Sequence, residues 1–123
     1  MASTLNFVHP SEAERSGFAG AMATAAAAVR TFATAEQFLR SIAAEDTGCV
    51  VVPSDLPGAG TRALIDAVRA RHRRLRVVVL GGSADLATAV ELVRAGADEY
   101  LAPPVSTRRL RLVIRQNLAT PRI

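Results

Sequence analysis

Residues 49–58 read Cys-Val-Val-Val-Pro-Ser-Asp-Leu-Pro-Gly, an unbroken apolar run that ends in a segment holding two prolines and a glycine. A half-exposed strand would alternate polar and apolar residues. A short continuous run bounded by turn formers therefore describes a strand covered on both faces. Runs at residues 5–8, 29–32, 77–80 and 100–102 repeat the theme, with helical patterns between them. Ala35, Phe38, Leu39 and Ile42 fall at i, i+3, i+4 and i+7, and Leu110, Val113, Ile114 and Leu118 at i, i+3, i+4 and i+8. Each set makes one apolar stripe against a sheet. A further helix, rich in Ala and Gly, is expected from Glu12 to about Ala27. Strict alternation of five strands and five helices predicts an α/β, flavodoxin-like doubly wound parallel sheet of order 2-1-3-4-5 with helices on both faces.

The chain has 123 residues. That is one domain's worth, and a domain of this size buries roughly two thirds of the surface its unfolded chain exposes. We assign residues 1–118 to the domain and 119–123 to a C-terminal tail or the start of a linker. No apolar run approaches the ~20 residues of a membrane span, and no basic segment precedes an apolar one at the N-terminus. A soluble, cytoplasmic protein without membrane association is expected. Cys49 is the single cysteine; inside a strand pattern it reads as a small core hydrophobe. All 15 cationic side chains are arginine, and the formal net charge is +4. Such an excess speaks to solubility and association, and nucleic-acid binding by this domain alone is not expected.

Several segments together resemble the receiver domains of two-component response regulators, CheY-like and most closely FixJ-type. Leu56-Pro57 keeps the spacing of the Leu/Met-Pro that follows the phosphate-accepting aspartate at the end of the third strand. The stretch from Val29 to Leu39 resembles the second strand and helix. Gly81-Gly82-Ser83-Ala84-Asp85 and the residues to Glu91 resemble the fourth loop and helix, and Gly96-Ala97-Asp98-Glu99-Tyr100-Leu101-Ala102-Pro103-Pro104 resembles the Gly-Ala-Asp-x-Tyr-Leu-x-Lys-Pro run around the fifth strand. The resemblance also marks what is replaced. Pro53 stands at the acceptor position, His9 and Pro10 at the acidic pair that holds magnesium, Gly81 at the switch hydroxyl and Pro103 at the lysine. Magnesium needs hard oxygen ligands, and none of these residues offers a carboxylate. The chain thus looks like a degenerate pseudoreceiver with no catalytic, cofactor or metal site, no magnesium-dependent phosphorylation and no enzymatic activity.

The remaining chemistry-bearing residues have bland readings beside sharper ones. Asp55 and Glu12 lie near the replaced positions and read as solvent-facing loop acids or, for Glu12, a helix cap. His9 lacks companion ligands, and His72, within an arginine run, reads as a solvated helix end. Gly58-Ala59-Gly60-Thr61-Arg62-Ala63 matches a dinucleotide fingerprint but follows the wrong strand, so its glycines serve a loop and Thr61 an N-cap. The resemblance gives Tyr100 and Pro104 switch-like positions; Tyr100 is expected to turn inward over Gly81, with Pro103-Pro104 cis. It also points to the fourth helix, fifth strand and fifth helix as the surface for a protein partner or homodimer, with Val90, Arg94, Arg108, Arg111 and Arg115 as candidate interface residues. The expected function is signal transduction or transcriptional regulation through protein contact. The alternative is a small-molecule-binding regulatory domain that uses the degenerate pocket.

Overall fold

The computed structural model describes residues 4–26, 28–43, 46–58, 60–82, 86–120 and 122. Its elements alternate as β1 (Thr4–Val8), α1 (Glu12–Ala21), β2 (Ala28–Phe32), α2 (Ala35–Ser41), β3 (Gly48–Pro53), α3 (Gly60–Arg71), β4 (Leu75–Leu80), α4 (Leu86–Ala95), β5 (Glu99–Leu101) and α5 (Thr107–Ala119). The strands form one sheet in the order β2-β1-β3-β4-β5, and every pairing is parallel. The expected fold class is the observed one.

Successive side chains of a strand point to opposite faces, so each continuous apolar run supplies two cores. Val50, Val52, Val77 and Val79 join Phe38 of α2, Leu64, Ile65 and Val68 of α3 and Leu92 of α4. Cys49, Val51, Val78, Leu5 and Phe7 face Phe18 of α1 and Val113 and Ile114 of α5. The rings of Phe7 and Phe18 stack with centroids 4.0 Å apart. Cys49 is completely buried, and burial pushes its thiol pKa well above the ordinary value.

Three local expectations need correction. The first helix stops at Ala21 and gives way to a turn in which the Ala25 amide donates to Met22 O. Alanines would propagate a helix, but the chain must return to enter β2 at Ala28, and tertiary closure overrides propensity; Ala27, the expected end, lies outside the described residues. Ser11 caps α1 by accepting from the Glu14 amide at 3.3 Å, so Glu12 is a first-turn acid and not the cap. His72 is buried, with Nδ1 3.1 Å from Ala43 O, where a solvated helix end was expected.

The lower edge is held by Asp98, between α4 and β5. Its carboxylate meets Arg69 at 2.7 Å, Arg122 at 2.9 Å and Arg76 at 3.3 Å, and accepts from the Val77 amide at 2.8 Å. The Asp98 amide in turn donates to Val77 O at 2.8 Å. The Asp98 side chain is only 9% exposed. Burial lowers the pKa of Arg69, although Asp98 opposes the shift. Removing a carboxylate from such a cluster leaves partly buried guanidiniums facing one another, so Asp98→Ala should destabilise the domain by about 3–5 kcal/mol. Urea unfolding checks this; a loss below about 1 kcal/mol would mean that the cluster behaves as a surface ion pair.

Candidate functional site

The five positions singled out by the resemblance gather at the C-terminal end of the sheet, where doubly wound folds place their ligands. His9 and Pro10 follow β1, Pro53 closes β3, Gly81 follows β4 and Pro103 follows β5. His9 is not poised for chemistry. Its Nδ1 accepts the Ser11 amide at 3.0 Å, its ring stacks on Phe7, and its carbonyl accepts from Arg15 at 2.7 Å. It is a strand-end residue that organises the entry to α1.

Pro53 ends its strand opposite Leu80, and the Ser54 amide donates to Leu80 O at 2.9 Å. A proline is tolerated at a strand end because the ladder loses no interior bond there. Thr61 was expected to cap α3, but the helix already includes it. Its buried hydroxyl donates to Pro53 O at 2.7 Å and accepts from the Leu56 amide at 3.1 Å, closing the loop after β3. Gly58 and Gly60 hold φ of 76° and 89°, a region that favours glycine, as loop residues should; Ala59 of the fingerprint lies outside the described residues. The Gly82 amide, which faces this end, donates to Ser54 Oγ at 3.2 Å. Asp55 is exposed beside it, and a Cβ built on Gly82 would lie 3.8 Å from the Asp55 carboxylate. Ser54 escaped the sequence reading because nothing in a lone loop serine signals an amide partner 28 residues away.

Tyr100 lies inward. A Cβ built on Gly81 would stand 2.6 Å from the tyrosine hydroxyl and 2.9 Å from the ring, so the space above Gly81 is filled by Tyr100. The Pro103-Pro104 peptide is cis. Tyr100 thus packs against Gly81 while Ser54 binds the adjacent Gly82 amide. Of the fourth-loop residues, Ser83, Ala84 and Asp85 lie outside the described residues.

The candidate interface divides into two surfaces. On α4, Val90 is 39% exposed, and it is flanked at i−4 and i+3 by Leu86 (77%) and Val93 (47%). Glu91, on another side of the helix, reaches Arg62 of α3 at 3.5 Å, so the apolar stripe faces away from α3. Arg94 is exposed in the last turn. Leu86 and Val93 were missed, although the i, i+4, i+7 pattern was present in the chain. On α5, Arg111 donates to Ala21 O of α1 at 3.0 Å. Together with Arg108, Leu112 and Arg115 it lines a groove of about 290 Å³. Of the arginine row expected to join the α4 and β5 surface, Arg111 is bonded to α1, and the buried stripe of Val113, Ile114 and Asn117 sets the rotation of the helix.

Known proteins match this arrangement. The family description Response regulator receiver domain fits residues 10–115. The transcriptional regulatory protein FixJ of Azorhizobium caulinodans is 26% identical over 114 residues, covering 93% of this chain and 54% of the relative. The C4-dicarboxylate transport transcriptional regulatory protein DctR of Rhodobacter capsulatus is 29% identical over 112 residues, covering 89% and 57%. The chain spans about half the length of these curated relatives. The receiver domain of NtrX from Brucella abortus superposes with a TM-score of 0.83 at 28% identity, over 94% of this chain and 98% of that one. A CheY-like receiver domain protein from Methanospirillum hungatei gives 0.84 at 24% identity, over 97% and 95%, a likeness of fold.

Gly81→Ala should push Tyr100 outward without unfolding the domain, because the clash falls on the far end of one side chain. Tyr100 is the sole tyrosine and there is no tryptophan, so acrylamide quenching of intrinsic fluorescence reads its exposure. Unchanged quenching would place the tyrosine ring elsewhere in solution.

Proposed function

The chain belongs to the response regulator receiver domain family, and from that premise we propose that it is a pseudoreceiver, signalling through protein contact without accepting a phosphoryl group. The observation that carries this reading is the donor set at the C-terminal end of the sheet. Neither β1 nor β3 ends on a carboxylate, and the acids close in sequence to these strand ends among the described residues, Asp55 and Glu12, lie two residues past Pro53 and Pro10. No three His, Cys, Asp or Glu side chains among the described residues come together as a metal-holding group. The Gly82 amide, which could otherwise face an anion, is already bonded to Ser54. A domain so composed has no nucleophile at its acceptor position and no oxygen pair to hold magnesium. Its work is then that of a docking surface and not of an enzyme.

The docking surface is the exposed stripe of Leu86, Val90 and Val93 on α4, continued by the edge strand β5. An apolar centre supplies affinity while rim charges such as Arg94 steer the approach. The partner is a second copy or another protein of the same signalling system. With Tyr100 packed over Gly81, this surface is held in one state and binds constitutively. Regulation of transcription is the output suggested by the names of FixJ and DctR, of whose length this chain spans about half.

Incubation with acetyl phosphate and magnesium should leave the mass of the protein unchanged. A gain of one phosphoryl group that disappears in Asp55→Asn would make Asp55 a displaced acceptor and overturn the proposal. For the surface, Val90→Asp combined with Arg94→Glu should abolish self-association or partner capture while circular dichroism stays native. Unchanged sedimentation and unchanged capture by the folded variant would remove α4 from consideration.

A further inference from the structure

The most densely charged part of the molecule is at the opposite end from the replaced positions. Arg69, Arg71, Arg73, Arg74 and Arg76 fall within eight residues around the end of α3 and the start of β4. The tail adds Arg122, whose guanidinium reaches Asp98 and also Arg73 O at 3.3 Å. Arg76 Nε donates to Thr120 O at 3.0 Å, which draws the tail against the same edge. Against these six guanidiniums the described acids at this end are Asp98 and Asp46. Asp46 is half-buried and accepts from the Ala43 amide at 2.8 Å, in the loop whose Ala43 carbonyl meets His72. Among the described residues, arginines outnumber acids at this end of the domain.

Arg71, Arg73 and Arg74 are exposed, and their guanidiniums have no partner among the described residues. Arg74 and Arg76, with Thr47, Asn117, Leu118 and Thr120, line a depression of about 60 Å³ between the start of β3 and the end of α5. Planar guanidiniums grip phosphate oxygens two at a time, and hydroxyl and amide groups beside them add donors. The large exposed apolar side chains among the described residues are Leu86, Val90, Val93 and Leu112, which belong to α4 and α5. None of them lies on α3, on β4 or between the two among the described residues. A protein partner there would lack the apolar anchor from which interfaces draw affinity. A polyanion needs no such anchor, because neutralised phosphates release condensed counterions.

We propose that this end of the domain, built from Arg71, Arg73, Arg74, Arg76 and the depression beside them, binds the phosphate backbone of nucleic acid without reading its sequence. The proposal stands apart from the pseudoreceiver reading, since it involves the other end of the sheet, and it reverses the expectation that this domain alone does not bind nucleic acid.

The test is fluorescence anisotropy with a labelled mixed-sequence DNA duplex of about 30 base pairs, titrated at salt concentrations from about 50 to 200 mM. Binding should weaken linearly on a log-log plot with a slope of about −0.9 per phosphate engaged. Arg73→Gln with Arg74→Gln should lower that slope by about two and weaken binding at low salt by about tenfold or more. Arg30→Gln with Arg109→Gln removes the same charge from the exposed surfaces of β2 and of the start of α5, away from this end, and should leave the slope unchanged. If the first pair fails to fold by circular dichroism, Arg71→Gln with Arg74→Gln serves in its place. Three outcomes overturn the proposal: no binding at the lowest salt, equal weakening by both pairs, or tighter binding of polyglutamate than of the duplex.

Discussion

Asp98 ties the segment before β5 to three other parts of the chain. Its carboxylate holds the end of α3 through Arg69, the start of β4 through Arg76 and the Val77 amide, and the tail through Arg122. Its own amide bonds Val77 O, so one residue sets the register in which β5 joins the sheet. From that register Tyr100 pairs with Val79, and the Gly81 amide reaches Leu101 O at 2.9 Å. The tyrosine ring therefore arrives over Gly81 because of an ion cluster at the far end of a three-residue strand. Short edge strands have few ladder bonds of their own, and an anchored end makes up for that shortage.

The two ends of the sheet carry different chemistry, and the core is indifferent to it. Neither packed cluster contains His9, Pro10, Pro53, Gly81 or Pro103. Side chains at these positions contribute little to either packed cluster, so the scaffold does not depend on their identity. The local consequences are conformational: Thr61 and Ser54 take over the polar groups of the loops after β3 and β4. The backbone at that end is satisfied by neighbouring hydroxyls and carbonyls where an anion would otherwise be drawn in.

Strand order and both cores were legible because side-chain parity is a property of sequence. Val50 and Val51 must point to opposite faces wherever that strand lies. The resemblance in the Gly-Ala-Asp segment extended this legibility to Tyr100 and the Pro103-Pro104 peptide. What stayed hidden depends on long-range partners. Nothing around Thr61 shows that its hydroxyl is drawn to Pro53 O, and nothing in the arginine run shows that His72 turns inward to Ala43 while its neighbours stay in solvent. The end of α1 was misjudged for a similar reason, since propensity within the alanine run carries no information about where β2 must begin. The facing of Arg111 was decided by helix rotation, which the apolar stripe of α5 encodes only once its neighbours are known.

Cys49 lies at the centre of this arrangement, in the strand flanked by β1 and β4, and no part of it reaches solvent. Modification requires a thiolate, and burial holds the group in its protonated form. No fraying of an edge strand or opening of a loop uncovers it, because both neighbouring strands and the helices over them would have to part first. The rate at which a small alkylating reagent labels this single thiol thus counts excursions of the whole sheet, weighted by their equilibrium population. The molecule carries its own clock for global opening.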